Sequence, residues 1–329
     1  MGIAKALPQL AQGNLLSIQD LSPSDVESIL DLAAEIKAHP SRFSNALLGK
    51  QVVLMFEKPS LRTRLTFEVA VQSMGGKSYF VDQTQSRIGL REEIGDMAQN
   101  LSRWMDGIVL RTFSHRTVTE MAEHASIPVI NALTDMEHPC QALADFFTLQ
   151  ERFPDLRKLK IAYVGDGNNV AHSLLLVAAA LGAHISVATP KGYGPDAAIV
   201  QRAQDLALLT GAKVEVVHDP RRAAKGAHAI YTDVWASMGQ EEETAKRAKI
   251  FADFQVNENL MSLTAPHAVF MHCLPAHRGY EVSAPVMDSP RSIIFDQAEN
   301  RLHVQKAILL LLLGNAKRGP ESSYWSNNA

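Results

Sequence analysis

Short apolar runs alternate with stretches of helical period along most of the 329-residue chain. Runs at 51–56, 77–80, 107–111, 128–131, 160–165, 184–188, 213–217, 229–232, 268–272 and 292–295 read as strands, and helices fit between most of them. Such alternation predicts an α/β protein. After the first strand, Leu61, Leu65 and Val69 recur every fourth residue, and so do Phe67 and Val71. Two apolar faces predict a helix packed on more than one side, ending at Gly75-Gly76. The polar, Pro-containing stretch FPDLRKLK precedes a fresh strand–Gly–helix unit and marks a boundary near 154–158. Two domains are expected, 1–150 and 151–299, each a parallel sheet flanked by helices. The final helix, 300–318, with the apolar run AILLLLL at 307–313, is expected to return to the first domain. The terminal AKRGPESSYWSNNA reads as a loose tail.

Composition narrows the class. With 46% hydrophobic and 20% charged residues the chain has the makings of a large core, and disorder is excluded. Lys plus Arg number 32 against 35 Asp plus Glu, so a general polycation for nucleic acid is excluded. Cys140 and Cys273 cannot build a disulfide framework, which fits a reducing compartment. The first residues lack the apolar block of a secretory signal and the myristoylation pattern. The longest apolar run falls far short of the ~20 residues of a membrane helix. A cytosolic protein without membrane partners is expected.

The most informative segment is FEKPSLRTRLTFE, residues 56–68. Ser60 opens a helix, and Lys58, Arg62 and Arg64 crowd its start. A helix N-terminus offers unpaired N–H groups and partial positive charge, so added cations conflict there unless an anion binds. Guanidinium groups would complete a phosphate site. The bland alternative turns the arginines outward, paired with Glu57 or Glu68.

Ser60-Leu61-Arg62-Thr63-Arg64 resembles the phosphate loop of the aspartate/ornithine carbamoyltransferases, with Leu61 where Thr is usual. Arg111-Thr112-Phe113, His138-Pro139-Cys140-Gln141, Asp233 through Gly239 (DVWASMG) and His272-Cys273-Leu274-Pro275 match the family in order, over about residues 50–313. The resemblance implies that Ser60, Leu61, Arg62, Thr63, Arg64 and Arg301 hold carbamoyl phosphate. Arg111, His138 and Gln141 would grip its carbamoyl group, the first two donating to the carbonyl oxygen and Gln141 accepting from the amide nitrogen. Arg111 and His138 would then serve as an oxyanion hole. Cys273 and Leu274 would orient groups beside them. Asn169, Asp233, Ser237 and Met238 would grip an amino-acid acceptor, for which the Ser-Met-Gly turn points to L-ornithine. Asp233 and Cys273 would neighbour its δ-amine and favour loss of the amine proton. Arg111, His138, Asp233 and Cys273 are thus the expected catalytic residues. The resemblance further implies a homotrimer or a multiple of it, no metal and no organic cofactor, and a place in arginine metabolism, biosynthesis first. The segment 86–98 resembles a loop that reaches a neighbouring subunit, with Arg91-Glu92-Glu93 where Lys-Glu-Ser is common.

Other readings stand beside these. His138, Cys140, His272, Cys273 and His277 are zinc-ligand types, although their spacing fits no common finger. Cys273 is alternatively a covalent nucleophile or a small buried hydrophobe. Arg301 has an ordinary partner in Glu299. Gly165, Gly167 and Ala171 stand at dinucleotide-fingerprint spacing, but the second strand ends without an acidic residue for the ribose. A binding protein without activity, and a carbamoyltransferase acting on an N-acylornithine or putrescine, complete the alternatives.

Overall fold

The computed structural model describes residues 10, 12–85, 87–236 and 243–314. Ser237 and Met238 lie outside the described residues, as do Ser86, the tail and the expected helical residues 315–318.

The first sheet comprises β1 (Gln51–Phe56), β2 (Lys77–Asp82), β3 (Gly107–Arg111) and β4 (Val129–Leu133), all parallel in the order β2-β1-β3-β4. Helices α1 (Pro23–Ala38), α2 (Leu61–Ser73), α3 (Ile94–Trp104), α4 (His115–His124) and α5 (Pro139–Arg152) surround it. One short helical turn, Leu156–Lys158, leads into the second unit. There β5 (Lys160–Val164), α6 (Asn169–Leu181), β6 (His184–Ala188), α7 (Ala197–Thr210), β7 (Val214–Val217), α8 (Pro220–Ala224) and β8 (Ala229–Thr232) come first. They are followed by α9 (Thr244–Ile250), α10 (Glu258–Met261), β9 (Val269–His272) and α11 (Ala284–Met287). The second sheet is also parallel, in the order β7-β6-β5-β8-β9.

Nine of the ten sequence-predicted strands are present, within two residues at their ends. The tenth, 292–295, is not a strand. Ser292 makes a single bridge to Phe270, and the chain enters α12 (Ile294–Leu313) at Ile294. Four apolar residues cannot distinguish a buried strand from the first turn of a helix. Helix α2 also departs from expectation. Phe67, Ala70 and Val71 are buried, but Leu61, Leu65 and Val69 remain 73%, 47% and 45% exposed, so only one of its apolar faces is covered by this chain.

Helix α12 packs mainly on α1, α5 and α2 of the first unit. Its fully buried stripe, Ala307 through Leu310, shares one core with α5, α6 and the inner face of the second sheet. The α5–α12 contact is unusually polar for a buried seam. Thr148 accepts from Asn300 at 3.0 Å, Asp145 accepts from Gln297 at 2.7 Å, and Arg152 pairs with Asp296 at the open end. No helix among the described residues is long and apolar enough to cross a membrane.

Candidate active site

In each sheet the strand order reverses once, between β1 and β3 and between β5 and β8. A crevice opens at the carboxyl ends of parallel strands wherever helices depart to opposite faces. The loops that leave β1, β3, β5, β8 and β9 therefore face one another, and between them lies a cavity of about 720 Å3.

One wall is cationic. Ser60 caps α2, its hydroxyl accepting from the Thr63 N–H at 3.2 Å, which leaves the first turn pointing into the cavity. Lys58, Arg62, Arg111 and Arg301 converge there. Lys58 sits 4.5 Å over the Phe113 ring. Burial and the neighbouring Arg301 and Arg62 disfavour the Arg111 charge, and burial likewise disfavours that of Arg62. A register shift at Leu110/Arg111 falls at the carboxyl end of β3, where Arg111 is the last residue paired to β1 and β4. Glu57 ties these loops together, accepting from the N–H groups of Ile88 at 2.8 Å and Phe113 at 3.0 Å.

Pro139 sets the first turn of α5 and leaves His138 at its cap, with the His138 N–H donating to Ser173 of α6 at 2.9 Å. Burial, then Arg301, Arg111, Arg62 and Lys58, hold His138 well below the usual imidazole range, so it is neutral. Its Nδ1 is buried without a partner among the described residues. Gln141 donates through Nε2 to Asp145 at 2.7 Å, and its Oε1 accepts from Arg301. Arg301 also donates to the Thr63 hydroxyl at 2.7 Å, joining α12 to the start of α2.

The facing wall is built from the second sheet. Asp233 leaves β8, and Cys273 leaves β9. The Cys273 thiol donates to Asp233 Oδ1 at 3.0 Å, and the Val234 N–H donates to the same oxygen at 2.8 Å. Asn168 caps α6 with its side-chain oxygen and donates through Nδ2 to Asp233 Oδ2 at 2.8 Å. Burial and the Asp233 carboxylate push the Cys273 thiol well above its ordinary range. It is therefore a protonated donor, which runs against a covalent nucleophile. Leu274 takes a left-handed backbone (φ 60°) whose N–H donates to His272 Nδ1 at 2.9 Å. A non-glycine residue pays of order 1–2 kcal/mol for that conformation. Glu281, buried, engages His272 Nε2 and the His277 N–H, and so holds the loop from below.

The structure thus brings Ser60, Leu61, Arg62, Thr63, Arg111, His138, Gln141, Asn169, Asp233, Cys273, Leu274 and Arg301 to one cavity. The Arg64 side chain does not line it. It pairs with Glu68 and lies 3.8 Å over the Phe80 ring, the outward arrangement weighed above as the bland alternative. Arg301 is not paired with Glu299; its partners are Gln141 and Thr63. Trp235, which stands in the DVWASMG motif, and His277, named above among the zinc-ligand types, also line the cavity; Tyr280 and Thr244 line it too and were missed in the sequence, because nothing in their local pattern separates them from core or surface residues. Asp233, His272 and Cys273 offer ligand atoms within 4.8 Å of one another, but both His272 ring nitrogens already have partners in Leu274 and Glu281. The glycine spacing at 165–167 has another cause. A Cβ on Gly167 would fall 2.2 Å from the Gly194 and Pro195 backbone, so the packing of the chain itself requires that glycine.

Two doubly wound units with a cationic pocket facing a carboxylate–thiol pair define an α/β enzyme that unites an anionic donor with a second substrate. The family model described as aspartate/ornithine carbamoyltransferase, carbamoyl-P binding domain, matches residues 13–151, and that for the Asp/Orn binding domain matches 157–312. The ornithine carbamoyltransferase of Symbiobacterium thermophilum is 53% identical over 302 residues, 91% of this chain and 97% of that protein. An anabolic ornithine carbamoyltransferase of Pyrococcus furiosus is 47% identical over 313 residues, 94% of this chain and 98% of its own length. The solved ornithine carbamoyltransferase structure from Pyrococcus furiosus superposes with a TM-score of 0.91 at 47% identity, covering 94% of this chain and 99% of that one. The chain belongs to the aspartate/ornithine carbamoyltransferase family.

Proposed function

We propose that this protein transfers the carbamoyl group of carbamoyl phosphate to the δ-amine of L-ornithine, giving citrulline and phosphate, in arginine biosynthesis. The observation that carries the reading is the pairing of two walls. Donors and cations on one wall face a carboxylate that already accepts a hydrogen bond from a thiol.

The first domain, 1–150 with the returning C-terminal helix, would hold the phosphate at the start of α2 with Arg62, and Arg111 and Arg301 beside it. Arg111 and neutral His138 would donate to the carbonyl oxygen, where negative charge grows as the amine attacks. The second domain, 151–299, would hold ornithine through Asn169, Asp233, Ser237 and Met238. An alkylamine has a pKa near 10.4 and must lose a proton before it attacks. Asp233 would receive that amine, whose lone pair, and not the protonated Cys273 thiol, would be the nucleophile. The tetrahedral intermediate then expels phosphate, and no other group need be activated.

We further propose assembly as a homotrimer or a multiple of it in the cytosol. The exposed Leu61–Leu65–Val69 stripe beside edge strand β2 supports such an assembly.

Steady-state turnover with free ornithine, N-acetylornithine, putrescine and aspartate tests the reading. Citrulline release from ornithine alone is expected. Preference for a capped or carboxylate-free amine would replace the acceptor, and no carbamoyl transfer to any amine would overturn the reading.

A further inference from the structure

Resting on the carbamoyl-site reading of Gln141 given above, we infer that Asp145 is a positioning residue that makes the site select an amide over a methyl group, by fixing which end of the Gln141 side chain faces the substrate. An amide can be reversed end for end with little change of shape, so its partners alone decide which atom points where. At pH 8, where Asp145 is ionised, Gln141 lies between two groups of opposite character. Asp145, fully buried one helical turn further along α5, takes the Gln141 Nε2 at 2.7 Å and, on the same oxygen, the Gln297 Nε2 at 2.7 Å. Arg301, one turn beyond Gln297 on α12, donates to Gln141 Oε1. An ionised carboxylate only accepts and a guanidinium only donates. Reversing the amide would set oxygen against carboxylate and NH2 against guanidinium, both in a buried place where unmade bonds cost most.

The orientation has a chemical consequence. A carbonyl oxygen has two lone pairs, and Arg301 takes one. The other is free to accept from the NH2 of carbamoyl phosphate. Acetyl phosphate has the same shape and charge but a methyl group in that place, and would leave a buried acceptor unpaired. None of the dianion contacts at the start of α2 distinguishes the two.

Dissociation constants for carbamoyl phosphate, acetyl phosphate and inorganic phosphate at pH 8 test the assignment. In Asp145→Leu the acetyl-to-carbamoyl ratio should fall at least about fivefold, the worth of one hydrogen bond, while phosphate binds within about twofold of the parent. A purely structural role would weaken both acyl phosphates alike and leave the ratio unmoved, which would overturn the assignment. Adding Gln141→Glu to Asp145→Leu should restore the ratio to within about threefold, since a carboxylate presents an acceptor whichever way it turns and needs no partner to orient it. If Asp145→Leu does not fold, Asp145→Ala replaces it in both variants with the same expectations, and a parental ratio in the single variant counts against Asp145. Gln141→Ala separates the two readings. A parental ratio there overturns the carbamoyl contact of Gln141 itself, whereas a collapsed ratio there with a parental one in Asp145→Leu overturns only the role of Asp145.

Discussion

Arg62 stands in the first turn of α2, where helix electrostatics disfavour a cation. It is half-buried, with the Asp233 carboxylate of the facing wall as its favourable electrostatic neighbour. A bound dianion reverses the sign of that conflict. Arg62→Ala removes one charge-assisted contact worth about 1.5–3 kcal/mol, so turnover at limiting carbamoyl phosphate should fall at least about tenfold. Parental kinetics in that variant would remove Arg62 from the phosphate site. Asp145 illustrates the opposite balance. Burial raises its carboxyl to about 7, against the lowering effect of Gln141, Gln297 and Arg301. A carboxyl whose folded pKa lies above its unfolded value of about 3.9 destabilises the fold fully above pH 7, and the cost fades as pH falls toward 4. Asp145→Asn should therefore raise the unfolding free energy at pH 8, by about 4 kcal/mol at most, with a smaller gain at pH 5.5. A gain independent of pH, or a loss at pH 8, would contradict the buried-charge account.

At the scale of elements, the strands were legible because nearly every one is a run of apolar residues closed by glycine or polar residues, as in KIAYVGDG before α6. Helix starts were legible where a cap or proline stands, at Ser60 and Pro139. Two features were not. The run 292–295 is too short for its period to decide between strand and helix. The polar α5–α12 seam is spread over residues some 150 apart, so Asp145, Thr148, Gln297 and Asn300 look like isolated lapses in apolar helices until the fold pairs them. The Gly165–Gly167 turn was legible as a tight turn but ambiguous in purpose. Its second glycine is needed because the turn presses on residues 194–195, and the Gly167 N–H donates to Tyr193 O at 2.8 Å. Gly167→Ala places a methyl carbon 2.2 Å from backbone that cannot swing aside. Overpacking of this kind costs about 3 kcal/mol, so the melting midpoint should drop by at least about 5 °C. An unchanged midpoint would mean that the 190–195 segment yields freely.

At the scale of the molecule, α12 makes the two sheets share a core, so the walls of the cavity are carried by units joined along one buried helix. The site residues were legible through their motifs. Their assembly was not, because a cavity formed where two switch points face each other has no local signature. The same holds for surfaces. The pattern of α2 announces two apolar faces, and the fold covers one. Leu65 and Val69 remain nearly half exposed on the helix that flanks edge strand β2, and Tyr79 and Val81 on the other face of that strand are both more than a third exposed. Apolar side chains grouped on a sheet edge and its flanking helix are a liability in a lone chain and an asset at a subunit contact. They also adjoin the phosphate-loop residue Leu61, so a neighbouring copy seated there would lie against the rim of the site. Leu65→Arg would bury an unpaired charge in such a contact and leave the isolated fold nearly untouched, because Leu65 has little of this chain to pack against. Sedimentation velocity should show the parent as a trimer or a multiple of it and the variant as smaller species. Turnover per chain should fall at least about tenfold on dilution of the variant, with the circular dichroism spectrum unchanged. A parent that sediments as a monomer, or a variant that assembles as the parent does, would move the subunit contact to another face.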